Sequence, residues 1–113
     1  MPEDCLFCRI AAGEIPADVV DQTERAIAFR DITPQAPVHV LVIPRRHIAT
    51  LALADDGPEL GDLMLLAARV ARAEGIAESG FRTVINTNDD GGQTVHHLHI
   101  HVLGGRRLRW PPG

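Results

Sequence analysis

The sequence predicts an α+β fold, in which an antiparallel sheet of about five strands is covered by one long helix and one short helix. Histidines and aliphatic residues alternate along 97–103, and the run 38–43 is apolar except for one histidine, so both patterns indicate strands. Apolar residues recur over 60–71 at the spacing of one helix face. No repeat or linker composition divides the 113 residues, so we expect a single domain over 1–113.

The first third of the chain predicts a short helix and a hairpin. Three apolar residues within 6–10 stand at helical spacing shortly before a glycine, which indicates the short helix. Residues 17–21 and 26–30 have the composition of short strands and are joined by a polar turn, so we expect them to pair antiparallel. Two prolines then separate the hairpin from the run 38–43, which we expect to be a central strand covered on both faces.

The second half predicts the long helix and the last two strands. Asp56 and Glu59 stand at the spacing of a capping box, with a proline in the first turn, and the helix is expected to continue to about Glu74. Residues 81–88 alternate well enough to form a strand. A tight turn over 89–92 would join this strand to the neighbouring strand that carries the histidines.

Composition and charge argue against two classes of partner. The net charge of −4 gives no broad basic surface, so we expect no nucleic-acid binding. No apolar run approaches the roughly 20 residues that span a bilayer, so we expect no membrane association. The acidic start is not followed by the apolar segment of a secretory signal, and we therefore expect a cytoplasmic protein.

The three alternating histidines are the most informative feature of the sequence. In a strand His97, His99 and His101 share one face, and the aliphatic residues between them face the core. Three interpretations are open: a solvated strand face, a three-histidine metal site, and imidazole chemistry at phosphorus. The outer two rings would lie about 13 Å apart, so one ion cannot bind all three without a sharp bend. Imidazole can attack phosphorus, donate hydrogen bonds and exchange protons near neutral pH, which favours the third interpretation.

Two further patterns are ambiguous by themselves. Cys5 and Cys8 form a CxxC pair, but the βαβ pattern that surrounds a redox pair is missing, and a disulfide is unexpected in a reducing compartment. The pair is therefore either half of a zinc site that needs two further ligands or a pair of small packed side chains. His39 is the one polar residue of the run 38–43, and it is either a satisfied core histidine or a functional one.

The segment 97–103 fits the pattern His-φ-His-φ-His-φ-φ, with φ apolar, and resembles the histidine-triad (HIT) family. The resemblance extends from 5–10 to the terminal segment 110–113, and it is greatest to the Hint branch, whose members bind nucleotides and hydrolyse nucleoside phosphoramidates. It implies the HIT fold and a homodimer in which the sheet continues across both subunits. It also implies that the C-terminal tail 106–113 lies near the active site of the dimer partner.

The same resemblance assigns catalytic roles to four histidines. His99 would attack the α-phosphorus of a purine nucleoside 5′-phosphoramidate, or of an aminoacyl-adenylate, to form a nucleotidyl-histidine intermediate. Water would then release the purine nucleoside monophosphate. His101 would bind the phosphoryl group and assist proton transfer to the leaving group, His39 would lie near the same oxygens, and His97 would complete the set.

A zinc-binding subgroup of the family carries metal ligands at four positions of this sequence. The resemblance therefore implies one structural zinc ion (Zn²⁺) per chain, and no organic cofactor. The implied ligands are Cys5, Cys8, His47 and His97. Such a Cys2His2 set completes a tetrahedron and leaves no open position for water.

The family's nucleotide pocket combines an apolar wall for the purine, a carboxylate for the ribose and donors for the phosphate. The carboxylate would be Asp31, whose two oxygens suit two vicinal hydroxyls. The residues expected to bind the nucleotide are Leu6, Phe7, Ile10, Phe29, Asp31, Ile32, Asn86, Gly92, Gln93, Thr94, Val95, His99, His101 and Trp110.

Two alternative functions remain open at this point. A dinucleoside polyphosphate hydrolase of the sister branch would also use His99 as its nucleophile. A nucleotide-binding interaction module would retain the pocket while its hydrolysis was incidental.

Overall fold

The computed structural model describes residues 4–113, so the first three residues of the predicted domain lie outside it. Its elements are α1 (Leu6–Ala11), β1 (Val19–Gln22), β2 (Ala26–Arg30), β3 (Val38–Pro44), a 3₁₀ turn (Leu51–Leu53), α2 (Gly57–Ala73), β4 (Phe81–Val84), α3 (Asn88–Gly91) and β5 (Ile100–Gly104). The five strands form one antiparallel sheet in the order β1-β2-β3-β5-β4, which confirms the predicted α+β class. Within the described residues, no helix has the length and apolar character needed to cross a membrane.

The sheet is covered on both sides, as the apolar run in β3 predicts. Val40 and Val42 belong to a core that includes the buried side of α2, whereas Leu41 and Ile43 belong to a second core that includes α1. Successive side chains of a strand point to opposite faces, so β3 contributes to both cores. We call the side covered by α2 the helix face and the side covered by α1 the site face.

Helix α2 begins as the sequence predicts, but only half of the expected capping box forms. The Asp56 carboxylate accepts a hydrogen bond from the Glu59 amide at 3.0 Å. The Glu59 side chain, which is buried, does not return this bond and instead accepts two hydrogen bonds from the guanidinium of Arg46, the shorter at 2.7 Å. The ion pair therefore ties the loop after β3 to the first turn of α2.

The strand that carries the histidines begins later than the alternation predicts. The Leu98 amide donates to the Ile48 carbonyl at 2.6 Å, and the His97 carbonyl is bonded by the ring of His99, so neither group pairs with an adjacent strand. The alternation of side chains nevertheless persists, because Leu98 and Ile100 both lie in the helix-face core. The first two triad histidines thus stand on an irregular extended segment that leads into β5.

The prediction of a strand over 81–88 is correct only for its first half, because β4 ends at Val84. Asn88 has a φ of 59°, in the left-handed region that asparagine tolerates better than most residues. Its amide donates to the side-chain oxygen of Gln93 at 3.0 Å. The short helix α3 then takes the place of the tight turn expected at 89–92.

Two adjacent leucines of α2 provide a matched test of which helix side is buried. Leu66 is 2% exposed and Leu65 is 71% exposed. We expect Leu66→Ala to lower the free energy of unfolding by about 2–5 kcal/mol, because it leaves a cavity in the helix-face core. Leu65→Ala removes the same atoms from the surface and should change it by less than about 1 kcal/mol. Denaturant titration measures both values, and equal losses would contradict the assignment of the helix face.

Candidate active site and metal centre

A cavity of about 560 Å³ opens on the site face, beside the first residues of β5 and α1. This volume is within the range of about 300–1,000 Å³ that is typical of small-molecule sites. Ten of the predicted nucleotide-binding residues line the cavity: Leu6, Phe7, Ile10, Phe29, Asp31, Ile32, Thr94, Val95, His99 and His101. The structure thus brings together residues from four separate stretches of the chain.

One wall of this pocket is apolar. The rings of Phe7 and Phe29 meet edge to face with their centroids 5.5 Å apart. Ile32, also part of the lining, is 97% exposed, so its side chain is available to cover a flat ligand. This wall suits an aromatic base, which gains from apolar contact on both of its faces.

The sequence did not indicate several other residues of the lining. They are Ile15, Pro16, Ala17, Asp18, Arg30 and Leu41. Leu41 was predictable, because in β3 it is two residues from His39 and therefore on the same face. The segment 15–18 carries no comparable signal, since it reaches the pocket through the path of the loop after α1.

His99 has a fixed proton arrangement. Its Nδ1 lies 2.7 Å from the carbonyl oxygen of His97. A carbonyl only accepts hydrogen bonds, so Nδ1 carries the proton and the Nε2 of the neutral ring keeps a lone pair. Burial lowers the pKa of His99, which favours this neutral form near pH 7. The ring also packs against the edge of Phe7, with centroids 5.1 Å apart.

His101 and His39 form the polar end of the pocket with His99. The centroids of His99 and His101 are 5.0 Å apart, and Nδ1 of His101 lies 2.9 Å from Nε2 of His39. The same Nε2 is 3.5 Å from a carboxylate oxygen of Asp31. Burial, with smaller effects from the two neighbouring histidines, lowers the pKa of His101 to about 4, and burial also lowers the pKa of His39.

The four predicted metal ligands converge beneath this pocket. Nδ1 of His97 lies 3.3 Å from Sγ of Cys5, 3.5 Å from Sγ of Cys8 and 3.3 Å from Nδ1 of His47. Sγ of Cys8 is also 3.3 Å from Nδ1 of His47. Zinc–sulfur bonds of about 2.3 Å and zinc–nitrogen bonds of 2.0–2.1 Å give nitrogen–nitrogen and nitrogen–sulfur edges of about 3.3–3.6 Å in a tetrahedron. The donor set and its spacing therefore fit a tetrahedral zinc ion, and the cluster is able to hold a metal.

His97 connects this cluster to the pocket. Its Nε2 lies 2.8 Å from the carbonyl oxygen of Pro44, so Nε2 carries the proton and donates it there. Nδ1 then presents a lone pair to the two thiols and to His47. The ring is completely buried, and the carbonyl of the same residue orients His99.

The ionisation of the cluster also suits a cation. Burial lowers the pKa of both histidines, that of His97 to about 4, so both rings are neutral and able to ligate near pH 7. Burial and the adjacent Cys5 raise the pKa of the Cys8 thiol to about 11. A bound cation would reverse this shift, because metal coordination stabilises the thiolate.

Two of the remaining predicted nucleotide-binding residues support the loop instead of lining the pocket. The Gln93 amide nitrogen donates to the carbonyls of Ala49 at 2.8 Å and Val95 at 3.0 Å, so both of its hydrogens are used within the protein. Gly92 has a φ of 81° and ends α3 in the left-handed conformation that glycine adopts most easily. Their contact with a nucleotide stays a prediction.

Asn86 and Trp110 also lie outside the lining of the pocket in this chain. Asn86 is half-buried on the segment between β4 and α3. Trp110 is 80% exposed, and its ring stands 5.9 Å from the guanidinium carbon of Arg82. The expected role of Trp110, toward the active site of a dimer partner, likewise stays a prediction.

Comparisons with known proteins agree with this geometry. A family model described as "HIT domain" matches residues 12–108. An uncharacterized HIT-like protein of Synechococcus elongatus is 56% identical over 115 residues, which cover the whole of both chains. A purine nucleoside phosphoramidase of Escherichia coli is 48% identical over 110 residues, which cover 96% of this chain and 92% of that protein.

The fold has an equally close counterpart among solved structures. The crystal structure of a HIT family hydrolase from Legionella pneumophila has a TM-score of 0.95 and 52% sequence identity. The match covers 97% of this chain and 100% of that one. Since the family model spans most of the sequence and the relatives align along nearly their whole lengths, the chain belongs to the HIT family.

Proposed function

We propose that this protein is a hydrolase that cleaves purine nucleoside 5′-phosphoramidates, and also aminoacyl-adenylates, to the nucleoside monophosphate. The observation that carries the proposal is the neutral ring of His99, whose Nε2 lone pair is set by the His97 carbonyl within a pocket of nucleotide size. The 48% identity to a protein named purine nucleoside phosphoramidase supports the same reaction.

The pocket suits a nucleotide with its base on the apolar wall and its phosphate at the histidines. The ribose would then lie beside Asp31, which follows β2 between these two ends. One oxygen of Asp31 accepts a hydrogen bond from the Thr33 amide at 2.8 Å, which fixes the carboxylate. The carboxylate oxygens keep free lone pairs for ribose hydroxyls. This arrangement would hold the α-phosphorus near His99.

In the proposed reaction, Nε2 of His99 forms a bond to the α-phosphorus while the bond from phosphorus to the amine breaks. Nδ1 keeps its proton and continues to donate it to the His97 carbonyl, which stabilises the positive charge that develops on the ring. His101 and the hydroxyl of Thr94 line the pocket and would bind the phosphoryl oxygens. The leaving nitrogen would take a proton from solvent, with the assistance of His101, and depart as the neutral amine. Water then cleaves the bond between His99 and phosphorus and releases the nucleoside monophosphate.

We also propose that the Cys2His2 cluster holds one structural zinc ion. When bound, the ion would supply structural stabilisation through four protein ligands. This chain's own residues do the positioning: Cys5 and Cys8 lie at the start of α1, and the lone pair of His97 faces them. We further propose that the chain is a single domain that works in the cytoplasm, a compartment in which cysteines stay reduced. Cys5 and Cys8 form no disulfide in the described residues.

The predicted homodimer is also a proposal, and the edge of the sheet supports it. Among the described strands, β4 lies at the edge of the sheet and pairs only with β5, so its other side is available for a second copy. Antiparallel pairing of two copies of β4 would continue the sheet across a two-fold axis. Phe81 on this strand is 39% exposed and would gain apolar contact there.

The C-terminal tail is held at the beginning of β4. Gly104 pairs with Phe81, and the guanidinium of Arg82 donates to the carbonyl of Arg109 at 2.8 Å. The acidic pair Asp89 and Asp90 follows the other end of β4. Antiparallel pairing would bring the arginine-rich tail of one copy to the acidic α3 of the other. The tail would then lie toward the loop that carries Thr94 and Val95 of that copy.

Replacement of His99 tests the function and the nucleophile together. We expect His99→Asn to lower kcat on an adenosine 5′-phosphoramidate with a fluorogenic amine by more than about 10³-fold, because the attacking lone pair is lost. Binding of adenosine monophosphate, measured by calorimetry, should change by less than about threefold, since the amide of asparagine can still donate to the His97 carbonyl. His96→Asn, at the exposed adjacent histidine, is the control and should keep full turnover.

Other outcomes of this assay are equally informative. Wild-type protein that is inert on the phosphoramidate but cleaves dinucleoside polyphosphates would replace the proposal with the sister-branch reaction. Nucleotide binding without hydrolysis of either substrate would indicate a binding module. Turnover that survives in His99→Asn would refute the assignment of the nucleophile.

The metal content of the purified protein tests the zinc site. Elemental analysis should find about one zinc ion per chain in wild type and in the His96→Asn control, and little in Cys8→Ala. Because the ligands come from α1, the loop after β3 and the triad segment, loss of the ion should also lower the Tm by about 5 °C or more. Wild-type protein that is purified from zinc-containing medium without metal would contradict the proposal.

The pKa of His99 sets the expected pH dependence. Attack requires the neutral ring, and burial lowers the pKa below the ordinary value of 6.5. We therefore expect kcat/KM to be constant between about pH 6.5 and 8, and to fall only at lower pH as the ring gains a proton. The assay needs a substrate that does not itself titrate in this range. An acid limb centred at or above pH 6.5 would contradict the burial argument.

A further inference from the structure

A chain of hydrogen bonds leads from a backbone amide to the second pocket histidine. The amide of Gln35 donates to Nδ1 of His39 at 3.0 Å. A backbone amide only donates, so this nitrogen of His39 must be the unprotonated one. The neutral ring therefore carries its proton on Nε2.

That proton has one well-placed acceptor in the pocket. Nε2 of His39 lies 2.9 Å from Nδ1 of His101 and 3.5 Å from the nearer oxygen of Asp31. The shorter contact is the hydrogen bond, because donor–acceptor distances of N–H hydrogen bonds in proteins are about 2.7–3.2 Å. The side chain of His39 is only 3% exposed, which limits the access of water as a substitute partner. Nδ1 of His101 thus accepts a hydrogen bond and carries no proton of its own.

We propose that the Gln35 amide, acting through His39, fixes His101 as a hydrogen-bond donor whose Nε2–H is the ring nitrogen available to the pocket. His39 is then a positioning residue. Backbone groups thus fix opposite tautomers in the two imidazoles that line the pocket. Nε2 of His99 offers a lone pair, whereas Nε2–H of His101 offers a hydrogen-bond donor. This inference rests on the proposed function, to which it adds a reason why only one of two neighbouring histidines is the nucleophile.

The same arrangement explains a second cluster near the pocket. Asp31, His39 and His101 bring their polar atoms close enough together to resemble a metal site. A metal would need a lone pair on Nε2 of His39, but the Gln35 amide keeps the proton on that nitrogen. The Gln35 amide, His39 and His101 therefore form a directed chain of hydrogen-bond donors, and the cluster is not a cation site.

The burial of both rings agrees with this assignment of protons. Burial lowers the pKa of His39, and it lowers the pKa of His101 to about 4. Both residues are therefore neutral near pH 7. Each ring then carries one N–H proton, so each has a defined tautomer.

Nitrogen-15 NMR of the histidine rings near neutral pH tests the proposal without any substrate. In the wild type, His39 and His101 should both show a protonated Nε2, whereas His99 should show a protonated Nδ1. Gln35→Pro removes the amide proton, and Gln35→Ala keeps it while it truncates an exposed side chain. We expect the tautomers of His39 and His101 to become mixed in Gln35→Pro and to remain unchanged in Gln35→Ala. The unaltered tautomer of His99 verifies that the variant is folded.

A second pair of variants keeps the test decisive if the proline disrupts the loop. His39→Leu removes the donor to His101, so the fraction of His101 with a protonated Nδ1 should rise. His39→Gln offers an amide hydrogen in place of Nε2–H and should restore the wild-type tautomer. A wild-type His101 protonated at Nδ1, or a tautomer that does not change in His39→Leu, would overturn the proposal.

Kinetics separate this role from a merely structural one. His39→Leu should lower kcat by about 10–10²-fold and change KM by less than about threefold, and His39→Gln should recover most of the loss. Equal loss in both variants would overturn the positioning role. If wild-type protein does not hydrolyse phosphoramidates, the proposed function fails, while the NMR result still decides which nitrogen of His101 carries the proton.

Discussion

The site depends on the way His97 is fixed at three atoms. Nε2–H of its ring donates to the Pro44 carbonyl, and Nδ1 faces the two thiols of the metal cluster. Its carbonyl sets the tautomer of His99. One buried residue thus joins the end of β3, the N-terminal helix and the ring of His99. Its alternating neighbours Leu98 and Ile100 are anchored in the helix-face core, so the position of His97 is determined from both sides of the sheet.

Backbone groups, more than charged side chains, determine the chemistry of the pocket. Carbonyls orient His97 and His99, and an amide orients His39. Backbone positions are set by the sheet and by the loops anchored to it, so each tautomer follows from the fold itself. Ion pairs have a different function here. The pair between Arg46 and Glu59 fastens the loop after β3 to α2.

Sequence periodicity accounts for the features that depend on local pattern. It predicts the sheet, the start of α2 at Asp56, and the common face of the triad histidines. Features that depend on distant partners were not predictable in this way. The late start of β5 follows from the bond between Leu98 and the Ile48 carbonyl, and the amide of Gln93 is used by loops that are separate in sequence. The family resemblance, and not the spacing of the residues in the sequence, predicted that the CxxC pair and His47 belong to one site.

The described lining of the pocket offers a ligand no unpaired positive charge. The two imidazoles of its lining and the adjacent ring of His39 are neutral near pH 7. Arg30, the only cation of the described lining, is already paired with Glu74 through two hydrogen bonds. A phosphate at this position would be bound by donors of hydrogen bonds and not by an ion pair. Attraction between charges would therefore not favour a doubly charged monophosphate over a singly charged ester or amide. Under the proposed function, such a pocket would discriminate weakly by charge, which would limit product inhibition and leave selectivity to the shape of the base.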